Sequence, residues 1–315
     1  MTTTHHPEHL LDRAAMVAMR AMLGPSAKGS VSGPDARAPF DEIMNHVPAA
    51  PDVTYETETV GGVSGRWCRP KGALKTAAVL YLHGGGYVVG TARSHQNFVG
   101  QIAARSKVAA FVPDYKLAPA HPFPAALDDA TSVYEGLLAG GIPDIALAGD
   151  SAGGGLALIL LAWASARART GKGAAPAGAA VMSAWTDLTL SGESMVTRAD
   201  ADPLSTPASL AAMARLYLGE HDARDHLASP LFGDLAGLPP VMLHVGEDDV
   251  LRDDSVRYGE RFEHAGGDSQ VHTWEGMIHV FPSNVALLKA AREALDDIGE
   301  FLNRQLLGAS VAVEA

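Results

Sequence analysis

The sequence has little of the cysteine, positive charge and long apolar runs that mark several large classes of protein. Cys68 is the only cysteine among 315 residues, so no disulfide can form within the chain. The formal net charge of −12 argues against a nucleic-acid-binding surface. The longest strongly apolar stretch, residues 156–164, is far shorter than the about 20 residues of a membrane-spanning helix. We therefore expect neither nucleic acid nor membrane as a partner.

Sequence signals for targeting, cofactors and metals are also missing. Residues 1–8 lack the basic start and apolar region of a signal peptide, which favours a cytoplasmic location. No G-x-x-x-x-G-K-[ST] phosphate loop occurs. His5 and His6 could bind a metal adventitiously, but no ligand set has zinc spacing. We therefore expect no cofactor and no metal.

The chain organisation indicates an α/β protein. Residues 53–68 predict a β-hairpin with Gly61 and Gly62 at its turn. From residue 77 to residue 302 predicted strands alternate with helices, which is typical of a mostly parallel sheet. Residues 8–23 predict an amphipathic helix and residues 24–39 a loop. The apolar positions of that helix are Leu10, Leu11, Ala14, Val17, Ala18 and Leu23.

The most informative motif is Gly-Asp-Ser-Ala-Gly at residues 149–153. It fits G-x-S-x-G, the sharp strand-to-helix turn that exposes a nucleophilic serine. An apolar run at residues 145–148 precedes it, and residues 156–168 predict a helix. This context of strand, turn and helix makes Ser151 the candidate nucleophile.

A second motif, His-Gly-Gly-Gly at residues 83–86, follows the apolar strand predicted at residues 77–82. In lipases and esterases such a segment supplies backbone N–H donors to a developing oxyanion, and the residue after the nucleophile supplies another. Each donor of this kind contributes about 2.7–4 kcal/mol to transition-state stabilisation. The expected donors here are Gly84, Gly85 and Ala152.

A serine nucleophile needs a general base, and the order of elements selects one histidine of thirteen. In folds with this serine turn, the acid and then the histidine follow the nucleophile along the chain. The last predicted strand covers residues 269–274, and His279 lies on the loop after it. The other histidines considered fall inside predicted strands or in loops. They are His121, His244, His264 and His272.

The acid that orients the base is less sharply defined by the residues alone. A predicted strand at residues 240–245 ends in an acidic segment, where open α/β sheets keep their chemistry. Four carboxylates compete within that segment, and some of them are expected to be solvated at the start of a helix. They are Asp248, Asp249, Asp253 and Asp254.

Five motifs in a fixed order make the sequence resemble the bacterial hormone-sensitive-lipase family of carboxylesterases, or family IV esterases. The resemblance spans about residues 50–300. The motifs lie at residues 83–86, 115–119 with 123–129, 149–154, 249–253 and 276–281. Matching Leu251 to the family pattern selects Asp249 as the triad acid, with Asp248 as the fallback. The sequence departs from the family at Ala120, where an acid is usual, and at Gly155, where asparagine is usual.

The resemblance implies an α/β-hydrolase fold, with a mostly parallel central sheet, flanking helices and a helical cap. The implied activity is serine carboxylesterase, acting through an acyl-enzyme on short-to-medium acyl esters. The resemblance is also compatible with a homodimer that forms through the edge of the last strand. The implied divisions are residues 1–48 as the N-terminal helical part of the cap, 49–187 as the first part of the core, 188–220 as the cap insertion and 221–315 as the second part of the core.

The substrate is less constrained than the chemistry. The expected pocket residues are Tyr87, Trp185, Leu188, Met213 and Leu216. A lactone hydrolase, an esterase of acetylated small molecules or an amidase would use the same triad. Receptors of this fold that bind ligand without hydrolysis lose the catalytic histidine, whereas this sequence keeps His279.

Overall fold

A computed structural model describes residues 2–311 of the chain, and a central β-sheet organises them. In space the strands follow the order β1-β9-β8-β7-β6-β4-β5-β3-β2. The strands are β1 (Thr2–His6), β2 (Val53–Val60), β3 (Val63–Pro70), β4 (Ala77–Leu82), β5 (Ala109–Pro113), β6 (Asp144–Asp150), β7 (Ala179–Met182), β8 (Val241–Gly246) and β9 (Ser269–Trp274).

The sheet is mostly parallel, as the alternating pattern predicts. Strands β2 and β3 form the expected antiparallel hairpin, and β3 pairs antiparallel with β5. The other pairs are parallel. Every residue of β4, β7 and β8 is buried, which explains why β4 and β7 are continuous apolar runs and why β8 is apolar apart from His244 and its final glycine.

Helices cover both faces of the sheet. Alternate residues of β4 pack into two separate clusters, with Leu80 on the side of α4, α5 and α8 and Tyr81 on the side of α3 and α9. The helices are α1 (Leu10–Ala27), α2 (Arg37–Met44), α3 (Ala92–Ser106), α4 (Ala125–Ala139), α5 (Ser151–Arg169), α6 (Ser194–Thr197), α7 (Pro207–Leu218), α8 (Arg252–His264) and α9 (Lys289–Val311).

The N-terminal segment differs from its expected role as a purely helical part of a cap. Strand β1 adds to the sheet parallel to β9, with His6 opposite Trp274. Threonine has a high preference for strands, and pairing satisfies the backbone groups along the outer edge of β9. The edge of the last strand, expected to be available for a homodimer, is therefore covered by residues of the same chain.

The prediction of which side chains of the first helix pack against the protein is also wrong. Leu10 and Leu11 are 83% and 81% exposed, whereas Met16 is 3% exposed. Asp12, on the same packed face, accepts hydrogen bonds from the backbone N–H groups of Lys289 and Ala290 at 2.8 and 2.7 Å. Asp12 therefore caps the start of α9, and that contact turns the helix away from the orientation its leucines favour.

One further segment departs from the sequence interpretation in detail. Residues 24–39, predicted as a loop, include the end of α1 and the start of α2, with a 3₁₀ turn at Pro34–Ala36 between them. Residues 188–220, expected as the cap insertion, contain the helices α6 and α7, and α7 begins at Pro207.

Helix α5 is long and apolar enough to cross a membrane by length and composition. However, 72% of its apolar window is buried inside the protein. The helix lies against β4, β6 and β7, so packing against the sheet accounts for its composition.

Candidate active site

The candidate nucleophile lies at the junction of β6 and α5. Ser151 has a φ of 52°, in the left-handed region that a non-glycine residue rarely adopts. A Cβ at Gly149 would lie 2.5 Å from the carbonyl oxygen of Gly153, and a Cβ at Gly153 would lie 2.1 Å from that of Leu82. Both positions therefore require glycine, and the turn is as sharp as the motif demands.

Ser151, His279 and Asp249 are hydrogen-bonded in series. The Oγ of Ser151 lies 3.0 Å from Nε2 of His279. The Nδ1 of the same ring lies 3.1 and 3.0 Å from the two carboxylate oxygens of Asp249. With Nδ1–H donating to the carboxylate, Nε2 is left as the acceptor for the serine proton.

The three residues come from distant parts of the sequence but meet at one edge of the sheet. Ser151 follows β6, Asp249 follows β8 and His279 follows β9, so all lie beyond the carboxyl ends of parallel strands. The N–H of Val280 donates to Oγ of Ser183 at 3.0 Å. This bond holds the histidine loop against the end of β7.

The other acids proposed for the site bond elsewhere. Asp248 forms an ion pair with Arg20 at 2.6 Å. Asp253 accepts from the backbone N–H of Ser194. Asp254 accepts from the N–H groups of Thr186 and Asp187. Among these four carboxylates, all within the described chain, Asp249 is the one hydrogen-bonded to His279.

Buried carboxylates dominate the electrostatics around the imidazole. Burial opposes the charged form of His279, but the carboxylate of Asp249, with those of Asp202 and Asp150, raises its pKa to about 9. Asp202 is fully buried and accepts from the N–H of Val250 at 3.2 Å. Burial and the charge of Asp249 raise the pKa of Asp202. The site therefore stabilises a protonated imidazole.

The glycine segment lies beside the serine, but Gly84 does not have the role expected of it. Its N–H donates to Oδ1 of Asp150 at 2.9 Å, so that amide is not free for a substrate oxygen. Gly85 and Gly86 line the cavity together with Ser151. The amide of Gly84 is therefore bonded within the protein, contrary to the role expected for it.

Asp150 connects the glycine segment to the nucleophile turn. Its Oδ1 also accepts from the hydroxyl of Tyr81 at 2.7 Å. The carboxylate is buried, which raises its pKa, while Tyr81 and Gly84 oppose that rise. Asp150 thus bridges the glycine segment and the nucleophile turn.

A cavity of about 150 Å³ opens onto Ser151 and His279. Its other walls are mostly apolar and come from the N-terminal segment and from the region around α7. Those walls include Val31, Phe40, Ile43, Met44, Leu204, Leu210, Met213 and Val280.

Of the five pocket residues expected from the sequence, Met213 is among the lining residues of this cavity. The other four, all within the described chain, are packed elsewhere. Tyr87 stacks on Tyr217 at 3.8 Å, and the indole of Trp185 donates to the carbonyl of Asp187. Leu188 is buried in the main hydrophobic cluster, and Leu216 packs against it.

Sequence reasoning missed the lining residues of α2. Phe40, Ile43 and Met44 occupy helical spacing on α2, which is the signal that could have identified them. The glycine- and proline-rich residues just before them suggested a loop instead.

The departure at Gly155 has a steric explanation. A Cβ at this position would lie 2.1 Å from the carbonyl oxygen of Trp185, a distance that no side chain tolerates without a shift. Asparagine could not replace Gly155 without moving that carbonyl. The other departure, Ala120, is exposed and lies in a separate surface hollow with Arg37 and Asp41.

Comparison with known proteins gives matches along most of the chain. A family model described as the α/β-hydrolase fold matches residues 79–283. An acetyl-hydrolase from Streptomyces hygroscopicus is 37% identical over 246 residues, which cover 78% of this chain and 81% of the relative. An esterase from Acinetobacter venetianus is 36% identical over 274 residues, which cover 85% and 88% of the two chains.

Solved structures of esterases also match most of the chain. The crystal structure of an esterase from the bacterial hormone-sensitive lipase family has a TM-score of 0.84 and 37% identity, covering 94% of this chain and 98% of that chain. The crystal structure of the esterase EstE5 soaked with p-nitrophenyl butyrate has a TM-score of 0.82 and 39% identity, covering 93% and 98%.

The close approach at the nucleophile turn predicts that alanine destabilises the protein at Gly153 but not at a glycine with open space around it. Gly153→Ala places a Cβ 2.1 Å from the carbonyl oxygen of Leu82 and 2.3 Å from that of His83. We expect the free energy of unfolding to fall by about 2–3 kcal/mol, because buried backbone must move. Chemical denaturation followed by circular dichroism measures this.

Gly308→Ala is the matched control, since Gly308 lies in helix α9 with no atom within 4 Å of the added Cβ. There alanine should leave stability unchanged or raise it by up to about 1 kcal/mol. Equal effects of the two changes would contradict the steric account of the turn.

Proposed function

The chain belongs to the α/β-hydrolase fold family as a carboxylic ester hydrolase, and we propose that Ser151, His279 and Asp249 are its catalytic triad. The family match and the relatives confirm the fold and the resemblance to hormone-sensitive-lipase-like esterases that the sequence motifs predict. The observation that carries the triad assignment is the unbroken chain of hydrogen bonds from Oγ of Ser151 to the carboxylate of Asp249.

In the proposed mechanism Ser151 Oγ attacks the ester carbonyl carbon while Nε2 of His279 takes its proton. Asp249 holds the ring in the tautomer that leaves Nε2 free, and it stabilises the imidazolium that forms. The imidazolium then gives its proton to the departing alkoxide, which leaves an acyl-enzyme. Water repeats the sequence and releases the acid.

The oxyanion that forms in both steps is proposed to bind the backbone N–H groups of Gly85, Gly86 and Ala152. Gly85 and Gly86 lie beside Ser151 in the cavity wall, and Ala152 lies in the first turn of α5, where helix N–H groups have no partner within the helix. Asp150 holds the glycine segment at a fixed distance from the nucleophile turn. Such preorganised donors need no rearrangement when charge develops.

The proposed substrates are esters with short acyl chains. The cavity volume of about 150 Å³ lies below the roughly 300–1,000 Å³ typical of sites for drug-sized ligands. The Sδ of Met213 lies directly against Gly86, which closes the cavity beside the oxyanion donors. The acetyl-hydrolase name of one relative and the p-nitrophenyl butyrate soaked into EstE5 are consistent with small acyl groups.

Removing the nucleophile tests the triad directly. We expect Ser151→Ala to lower kcat for p-nitrophenyl acetate and butyrate by about 10⁴-fold or more, because no covalent intermediate can form. Initial rates for the wild type and the variant measure this, with circular dichroism as the check on folding.

Ser64→Ala is the control, because Ser64 is exposed on the β2–β3 hairpin; its rates should equal those of the wild type. Turnover that survives Ser151→Ala would contradict the assignment. A matched ester and anilide pair separates esterase from amidase activity with the same preparation.

The pH dependence should reflect the carboxylates around His279. A general base must be neutral, and the pKa of His279 is raised from 6.5 to about 9. The rate should therefore be low when the imidazole is protonated and rise with pH through that pKa. We expect the acid limb of kcat/KM, which reports the free enzyme, to have its midpoint above pH 6.5 and towards pH 9.

Rates of Ser151→Ala at each pH provide the blank for spontaneous ester hydrolysis. Asp249→Asn should move the midpoint to lower pH and lower the rate by about 10⁴-fold. A wild-type midpoint at or below pH 6.5 would show that the buried carboxylates do not act on the catalytic base as proposed.

Acyl-chain selectivity should depend on Met213. We expect Met213→Ala to raise the ratio of kcat/KM for p-nitrophenyl octanoate to that for the butyrate by about tenfold or more, because it widens the small apolar cavity beside the proposed oxyanion donors. Steady-state kinetics with both substrates measures the ratio.

Leu216→Ala is the matched control on the same helix, since Leu216 packs against the hydrophobic core. It should leave the ratio unchanged. A larger change for Leu216→Ala than for Met213→Ala would place the acyl chain elsewhere.

A further inference from the structure

The N-terminal strand brings two imidazoles and a carboxylate together, away from the candidate active site. Nε2 of His6 on β1 lies 2.9 Å from Nδ1 of His272 on β9. Oδ2 of Asp297 on α9 lies 3.9 Å from the same Nδ1. All three ligand atoms lie within 4.8 Å of one another. None of these three described residues is among those lining the cavity at Ser151.

Strand register and aromatic packing hold the two rings in place. His6 pairs with Trp274 and Thr4 with His272, so the two histidines are diagonal neighbours on one face of the sheet. The His6 ring stacks on Trp274 with centroids 3.6 Å apart, and the His272 ring stacks on His244 at 4.4 Å. The ring nitrogens are therefore presented to each other by the fold.

Asp297 differs from its acidic neighbours on α9 in the partner that it contacts. Glu293 pairs with Lys289, Asp296 with Arg105 and Glu300 with Arg304. Asp297 instead faces the imidazole of His272. A carboxylate beside two imidazoles is a donor set that a divalent cation accepts.

We propose that His6, His272 and Asp297 bind a transition-metal dication of the Zn²⁺ type, which ties the N-terminal strand to helix α9. Two imidazoles and a carboxylate are ligands that Zn²⁺ accepts, with water completing a tetrahedron. Ligand atoms about 2.0–2.1 Å from a tetrahedral ion are about 3.3 Å apart. The two nitrogens would separate by a few tenths of an ångström and the carboxylate would move closer, within the reach of side-chain rotation.

The function of such an ion is stabilisation of the β1–β9 pairing. An edge strand of five residues, Thr2–His6, depends on side chains to stay paired. The proposal is independent of the esterase mechanism, since the cluster contributes no group to the hydrogen-bonded series at Ser151.

Calorimetric titration of the metal-free protein with ZnCl₂ tests the proposal. We expect one Zn²⁺ per chain at the proposed site, with affinity at least tenfold weaker in His272→Ala and in Asp297→Asn. Asp297→Asn keeps the size of a side chain that is 40% exposed, so it tests ligation without disturbing the fold.

Two further variants separate this site from other histidines. His221→Ala removes an exposed histidine that contacts Asp225 at 2.7 Å, and His279→Ala removes the active-site imidazole. Both should keep the wild-type affinity. Zinc should also raise the Tm of the wild type but not of Asp297→Asn. Four outcomes would each overturn the proposal. They are no binding of Zn²⁺, an equal loss of affinity in His221→Ala, a loss of affinity in His279→Ala alone, and unchanged affinity in Asp297→Asn.

Discussion

The close approach of helix α5 to the end of strand β4 is the constraint on which the site depends. Gly153 leaves no room for a side chain against the carbonyl oxygens of Leu82 and His83. The helix can therefore begin immediately after β6, and Ser151 is forced into a left-handed conformation that is unfavourable on its own. That conformation lifts the hydroxyl above the sheet edge, where the loop carrying His279 can reach it. Packing of the buried helix supplies the free energy that keeps the strained residue in place.

Buried negative charge is the second organising feature, and it acts on both structure and chemistry. Asp150 accepts from Tyr81 and Gly84 and so fixes the glycine segment to the nucleophile turn. Asp202 accepts from backbone N–H groups, including that of Val250, next to Asp249. These carboxylates are costly to bury but are satisfied by hydrogen bonds. Their summed field favours an imidazolium at His279, the species that the proposed mechanism generates in each step.

The parts of the site that local sequence determines could be predicted, and those that depend on tertiary packing could not. The turn at Ser151 follows from glycine spacing between an apolar strand and a helix. The role of Gly84 did not follow, because the bond from its amide to Asp150 joins residues 66 positions apart. The orientation of α1 was predicted from its leucines, yet the buried contact of Asp12 with α9 decides it. Strand β1 has too few residues for a periodic signal, and its place in the sheet depends on pairing with the edge of β9.

The N-terminal 44 residues connect these features, because they contact the sheet edge, the acid loop and the cavity in turn. Strand β1 extends the sheet, and Asp12 caps α9. Arg20 pairs with Asp248, the residue before Asp249. Helix α2 then supplies Phe40, Ile43 and Met44 to the cavity wall. Helix α2 is itself held against the core, since Arg37 donates to the backbone carbonyls of Val88 and Ala118 and the ring of Phe40 contacts that of His95. The position of this wall of the cavity is therefore set by contacts of α2 with the core as well as by the attachment of β1 and α1.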